Sequence, residues 1–378
     1  MSQSQNAGKT IALVSNNCWS LFNFRIQVIR HFLNRGFRVI AIAGKDEFLQ
    51  DLMELGCEYH EVSFKNSSVA PLSDLKVYLQ LKKIYAREKP DMIFHYVTKP
   101  SIYGSIIAGK LNIPSIAIIT GLGYVYASNS WLTIPVSFLF RKALANASEV
   151  WFLNRENAGY FTGRKILLSG RSRILPGEGI DTQYFYPSKN KEGNKPFVFL
   201  MVSRLLWSKG VGIYMQAAAI VKSKGYHAVF QFQGRPESGH PESILAADLN
   251  NWEEKGLMQN LGFSKDVRKS LSVADCFVLP TYYEEGIPRS IMEACSMEIP
   301  VITTDQTGCN SIIEDRIHGL LCKPRDPHDL AEKMIAMMQL SISERNQMGK
   351  LGREKMITQF DISLILKNYD EAIIRYMR

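Results

Sequence analysis

Short, β-branched apolar runs alternate with stretches of helical period along nearly the whole chain, in two series separated by one polar segment. An apolar run too short for a helix and unbroken by polar residues is what a strand looks like when helices cover both faces of a parallel sheet. Thr10–Ser15, Phe37–Ala43, Cys57–Val62, Asp91–His95, Ile113–Ile119 and Val150–Leu153 fit that description. Between them Phe24, Val28, Ile29, Phe32 and Leu33 recur at helical spacing and stop at Gly36, and Leu72–Glu88 is amphipathic and stopped by Pro90. From Tyr186 to Lys195 the chain turns polar and turn-rich, the composition of a linker. A second series follows, with strands over Phe197–Val202, His227–Phe232, Gly256–Leu261, Asp275–Leu279 and Ile299–Thr303. Helical stretches over Val211–Lys222, Asp326–Met338, Ser343–Thr358 and Ile362–Met377 complete it. The expectation is an α/β protein of two Rossmann-like doubly wound domains facing each other across a cleft. Residues 1–189 form the first domain and 190–360 the second, while residues 361–378 form a helix returning to pack on the first.

Composition narrows the classes further. No stretch reaches the ~20 apolar residues that a spanning helix needs, and the apolar run after the polar start, Ile11–Ser15, is too short for a signal peptide. Six cysteines stand without a C-x-x-C or a nearby histidine pair, the pattern of reduced core thiols in the cytoplasm. The net charge of +9 is unevenly placed: residues 1–189 carry 22 Lys and Arg against 13 Asp and Glu, and residues 190–378 carry 23 of each. A basic half beside a neutral one points to an anionic partner for the first domain. No stripe of interleaved aromatic and basic residues suits a nucleic acid, so the expected partner is an anionic membrane surface. Residues 131–140, apolar and too short to span, precede Arg141, Lys142, Arg155, Arg164, Lys165, Arg171 and Arg173. Together they read as an interfacial wedge, and equally as a buried helix with a solvated rim.

Three loops of the second series, each at the C-terminal end of a strand, collect the residues that suit a nucleoside diphosphate. Ser203–Gly210 holds Arg204 and Lys209, a pair of cations able to clamp a diphosphate and neutralise a departing one. Gly234–Arg235 repeats a small residue and a cation at the next strand end. Pro280–Glu293 carries Glu284 and Glu285 in a loop and Glu293 two turns into the following helix, carboxylates able to accept hydrogen bonds from sugar and ribose hydroxyls. An acidic loop and a solvated helix face account for the same glutamates about equally well.

The sequence S-R-L-x-x-x-K-G, then Leu261-Gly262-Phe263, then the paired-glutamate segment running from Leu279 to Thr303 resembles the donor domain of family 4 retaining glycosyltransferases, enzymes of the two-domain GT-B fold. Ser20–Arg25 and Thr120–Val125 are similar to bacterial members that extend undecaprenyl-diphosphate-linked glycans, so the resemblance runs over most of the chain. It implies that Arg204 and Lys209 bind the UDP diphosphate and that Leu261–Phe263 receive the uracil. It further implies that Glu285 contacts the donor sugar, that Gly286 and Ile287 offer amides, and that Glu293 holds the ribose; Gly234 and Arg235 complete the donor side. The chain departs from the family where Asn16–Trp19 replaces a Gly-Gly turn and where no histidine stands near Thr120-Gly121. Asn16, Arg25, His95, Thr120 and Gly121 are the acceptor-side candidates, His95 because it ends a strand. The implied reaction moves a hexose or N-acetylhexosamine from a UDP-sugar to a lipid-linked saccharide, on the inner face of the cell membrane. No D-x-D pair lies near the proposed site, and neither metal nor cofactor is expected. A nucleotide-sugar epimerase of similar shape and a non-catalytic UDP-sugar-binding subunit are the alternatives.

Overall fold

The computed structural model describes residues 6, 8–64, 71–121, 133–167, 170–187, 196–235, 237, 240–283 and 286–377. The chain divides into two compact units, one of residues 1–178 with 362–378, the other Gly179–Asp361.

In the first unit, strands β1 (Thr10–Asn17), β2 (Arg38–Gly44), β3 (Glu58–Glu61), β4 (Met92–Tyr96), β5 (Ser115–Ile119), β6 (Glu149–Phe152) and β7 (Ser172–Ile174) form one parallel sheet in the order β3-β2-β1-β4-β5-β6-β7. The helices are α1 (Cys18–Asn34), α2 (Leu49–Glu54), α3 (Pro71–Glu88), α4 (Ser105–Lys110), α5 (Thr133–Leu144) and α6 (Arg155–Gly163), with a π-helical turn Pro100–Gly104 leading into α4. Ile11, Ala12, Leu13 and Val14 of β1 are fully buried, as a central strand covered on both faces requires. Asn17 caps α1 by accepting a hydrogen bond from the Ser20 amide, so the chain turns from strand to helix without a connecting loop.

In the second unit, β8 (Phe197–Val202), β9 (Ala228–Gln233), β10 (Gln259–Asn260), β11 (Cys276–Leu279), β12 (Val301–Thr304) and β13 (Gly319–Cys322) are again all parallel, in the order β10-β9-β8-β11-β12-β13. Its helices are α7 (Val211–Ser223), α8 (Ala246–Glu254), α9 (Arg268–Val273), α10 (Arg289–Ser296), α11 (Cys309–Ile312), α12 (Pro327–Gln339) and α13 (Ile342–Lys355). Both sheets are wound outward in two directions from their first strand. The order therefore reverses between β1 and β4 in one and between β8 and β11 in the other, the positions where open α/β sheets take ligands.

The first crossing between units falls at Glu178/Gly179, ahead of the polar segment on which the sequence boundary of 189/190 rests. The reason is packing: Ile180 and Phe185 already belong to the second core, and Thr182 Oγ1 donates to Asp361 Oδ2 at 2.6 Å. Polarity marks where the chain is exposed, not where it changes core. The C-terminal helix α14 (Ile362–Tyr376) belongs to the first unit, with Ile365, Tyr369, Ala372 and Ile373 buried among Phe32, Phe94 and Trp151. The Tyr369 ring lies 4.9 Å from that of Phe94 and 5.0 Å from that of Trp151.

Candidate functional site

In the second unit the loops at the ends of β8, β9, β10 and β11 are stitched together by backbone hydrogen bonds. The Ser208 carbonyl accepts from the amides of Tyr282 at 2.9 Å and Tyr283 at 3.1 Å and from Thr281 Oγ1 at 3.2 Å. Such closeness requires Gly210, whose φ is 83°, since a Cβ there would meet the Pro280 carbonyl oxygen at 2.0 Å. Gly234 has the same role in the neighbouring strand: a Cβ would meet the Ser203 carbonyl oxygen at 2.0 Å, and its amide donates to the Gly262 carbonyl at 2.9 Å. The strand-end loops singled out in the sequence thus converge at the β8/β11 switch point and its neighbours.

Three cations are carried there. Arg204 donates from Nη1 to Glu237 Oε2 at 2.9 Å, both side chains being about two-fifths exposed, at 40% and 41%. Lys209 Nζ stands 5.1 Å from the centroid of Tyr283, and the Arg235 guanidinium 4.9 Å from that of Phe263. Leu261 and Phe263 remain partly exposed beside it, an apolar lip on a cationic site. Glu237, Tyr283 and Arg325, whose guanidinium lies 4.4 Å from the Tyr282 ring centroid, escape the sequence reading.

Glu293 lies on α10 with its side chain 12% exposed, and Arg289 one turn earlier donates from Nε to Glu293 Oε1 at 2.9 Å. Burial raises the carboxyl's pKa and Arg289 pulls against that rise. Ile287 packs partly buried against the second core, and Gly286 is part-exposed beside it. Glu284 and Glu285 lie outside the described residues.

In the first unit the acceptor-side candidates separate. Asn16 is the last residue but one of β1 and Thr120-Gly121 follow β5, all partly exposed at one sheet edge, and Asn16 Oδ1 is buried without a hydrogen-bond partner. Val97, next after β4, holds a φ of 62°, a strained value for a β-branched residue, at the β1/β4 switch point. Arg25 and His95 are corrections. Arg25 is 2% exposed and pairs with Glu178, donates to the Ser20 carbonyl at 3.2 Å and lies 4.5 Å from the Tyr96 ring centroid, a core cation tying α1 to the point where the chain leaves the unit. His95 is fully buried, with Nε2 2.9 Å from Tyr85 Oη and its ring pressed against Gly104, so it is packed as a core residue instead of presented at the strand end. Its position in β4 sends the ring into the helix layer rather than to the sheet's end.

The interfacial wedge is also redrawn. Trp131 and Leu132 lie outside the described residues, Ile134 and Phe138 are exposed on α5, and Phe140 is core. Arg173 pairs with Glu149 and Glu371 and so belongs to the unit's own ion-pair network. No helix among the described residues is long and apolar enough to cross a membrane.

Two doubly wound sheets in one chain, with a cationic switch point in the second, are the architecture of GT-B glycosyltransferases. The fold matches a glycosyltransferase from Rickettsia africae with a TM-score of 0.78 at 18% identity, over 97% of this chain and 98% of that one. It matches Anabaena HepE, in a structure with UDP and glucose, with a TM-score of 0.78 at 16% identity over 97% and 100%. The family described as glycosyl transferases group 1 matches residues 183–355, and that described as glycosyl transferase 4-like matches residues 10–154. The chain belongs to glycosyltransferase family 4, a retaining family. Among curated relatives, the N,N'-diacetylbacillosaminyl-diphospho-undecaprenol α-1,3-N-acetylgalactosaminyltransferase of Campylobacter jejuni is 28% identical over 96% of this chain and 99% of its own. The UDP-Gal:α-D-GlcNAc-diphosphoundecaprenol α-1,3-galactosyltransferase of Escherichia coli is 24% identical over 87% of both.

Proposed function

We propose that this glycosyltransferase moves an N-acetylhexosamine or hexose from a UDP-sugar to a saccharide carried on a lipid diphosphate, working at the inner face of the cell membrane. The observation that carries the reading is the convergence of Arg204, Lys209 and Arg235 beside the Leu261–Phe263 lip, on loops locked together through Ser208 and Gly234. Cations supply what a diphosphate needs, and the apolar lip beside them suits a base. Arg204 and Lys209 hold the diphosphate, Arg204 exchanging its Glu237 partner for a phosphate oxygen as the donor enters. Glu293 receives the ribose hydroxyls, Gly286 and Ile287 offer their amides, and Glu285 contacts the donor sugar. The bond from the anomeric carbon to the diphosphate oxygen breaks as the acceptor oxygen bonds to the same face, and the acceptor proton passes to the departing phosphate oxygen. The two cations strengthen their hold as negative charge collects there, which is where their catalytic effect lies. Names of the two curated relatives, both acting on diphosphoundecaprenol glycans, support the acceptor class.

Incubation with a panel of UDP-sugars and lipid-linked saccharides, followed by mass, is expected to give one added hexose or N-acetylhexosamine, with EDTA leaving the rate largely unchanged. Transfer from a different nucleotide's sugar, or to free saccharides only, overturns the corresponding half of the proposal.

A further inference from the structure

Helix α3 carries two apolar stripes. Val77, Leu81 and Tyr85 face inward and are buried in the first unit's core. Leu72, Leu75 and Leu79 are 85%, 54% and 55% exposed, and at ~100° per residue they fall within about 60° of one another on the opposite side of the helix. A surface helix needs only one apolar face to fold, so the second stripe serves something outside the unit. Its borders name the partner. On the same wheel Lys76 and Lys83 run along one edge of the leucines and Lys82 along the other, all exposed. The two acids of the helix are taken up elsewhere, Asp74 by Lys99 at 2.8 Å, Glu88 by Arg38 at 2.7 Å and Arg87 at 2.8 Å. Helix α5 repeats the design, with Ile134 and Phe138 exposed between Arg141 and Lys142. Both helices pack against the same Pro100–Lys110 segment, so the two stripes lie on one face of the first unit.

We infer that the outward stripe of α3 enters the interfacial layer of an anionic bilayer, its leucines among the upper acyl chains and its lysines at the headgroups, with α5 as a second point of contact. Protruding leucines flanked by lysines fit a fluid negatively charged surface, whereas a protein partner calls for a complementary shape and a mixed polar rim. The inference rests on the membrane-side acceptor proposed above and adds the surface that docks.

The test uses the full chain with phosphatidylcholine vesicles, with and without phosphatidylglycerol. Leu72→Gln/Leu75→Gln/Leu79→Gln changes only exposed side chains and is expected to keep the wild-type melting temperature and the wild-type rate on a short-chain, water-soluble acceptor. Sedimentation with anionic vesicles should fall by roughly tenfold or more. Lys76→Gln/Lys82→Gln/Lys83→Gln should abolish the preference for phosphatidylglycerol and the salt dependence of binding. Unchanged vesicle binding by the leucine variant overturns the inference, as does a concentration-dependent dimer of the wild type that the leucine variant dissolves. Failure of the wild type on the soluble acceptor would count against the proposed reaction instead, and the sedimentation result would still decide the docking surface.

Discussion

At the scale of residues, the proposed donor side rests on a pair of cations with one shared task and a pair of glutamates with different ones. If Arg204 and Lys209 clamp the leaving diphosphate as proposed, Arg204→Ala and Lys209→Ala are each expected to lower turnover about 10²-fold with the fold intact, read by steady-state kinetics and melting. On the proposed assignment, Glu293→Ala should weaken UDP itself, because the ribose is common to donor and product, whereas Glu285→Ala should spare UDP affinity and damage transfer. Arg289 adds a pH dependence. Burial already raises the Glu293 carboxyl and only Arg289 opposes it, so Arg289→Gln should raise it further, and UDP affinity should begin to fall at a higher pH on acidification than in the wild type, by calorimetry. His95 shows where residue-type reasoning stops. A histidine ending a strand reads as a candidate catalyst, but strand position does not say into which layer the ring points, and this ring is sealed under Gly104. Burial holds its pKa down at about 3, so between its ordinary value near 6.5 and that value the unfolded chain takes a proton that the native state refuses. Stability should therefore fall on acidification through that window at about 1.4 kcal/mol per pH unit from this one group. His95→Gln, though less stable at neutral pH, should lose that share of the slope in urea titrations. Arg25 departs from expectation for a related reason, since only three-dimensional partners, Glu178, the Ser20 carbonyl and the Tyr96 ring, make so buried a guanidinium tolerable.

At the scale of elements, strands buried on both faces are the most legible features, because continuous apolar runs such as Ile11–Val14 and Cys276–Leu279 have few other uses. The edge strand β7 is not legible, since Ser172 and Ile174 are exposed and Arg173 half-buried, leaving no period to read. Helix α8 is equally hidden: of its nine residues only Leu249 is buried, so the sequence shows no apolar face. The loop constellation is visible as cations and glutamates after strands, but what locks it together is not, because a carbonyl accepting three hydrogen bonds leaves no trace in residue type. Gly210 is the joint of that lock. Gly210→Ala adds a Cβ 2.0 Å from the Pro280 carbonyl oxygen at a φ of 83°, so the loops holding Lys209 and Tyr283 must separate. The left-handed conformation alone costs about 1 kcal/mol. The expected outcome is a small drop in melting temperature with a much larger loss of UDP affinity, because the damage is to the spacing of the site more than to the core. Equal, small changes in both would show that the joint is not needed for the donor.

At the scale of the whole molecule, the two series of alternating strands and helices are legible as two sheets, and the basic surplus of residues 1–189 finds a structural counterpart in the lysines and arginines that border the exposed stripes of α3 and α5. What the sequence does not display is that the chain leaves the first unit as early as Glu178; the return of the C-terminal helix, expected from residue 361, begins at Ile362. The return matters for stability. Tyr369 lies against Phe32, Phe94 and Trp151, its hydroxyl 3.0 Å from that of Tyr96, and Ile365, Ala372 and Ile373 fill the space beside it. Each large apolar side chain fully buried contributes about 1.5–3 kcal/mol, and net domain stability is commonly only ~5–15 kcal/mol. Truncation after Asp361 removes that row and also opens Phe32, Phe94 and Trp151 to water, so the loss is comparable with the whole stability of the first unit. Gly179–Asp361 keeps its own core, which contains none of these side chains. The truncated chain should then lose the first unit's unfolding transition while a protease-resistant fragment corresponding to the second survives, still able to bind UDP by calorimetry if the donor residues act as assigned. A truncated chain that melts like the full one in both transitions would mean that α14 merely covers a core able to stand without it.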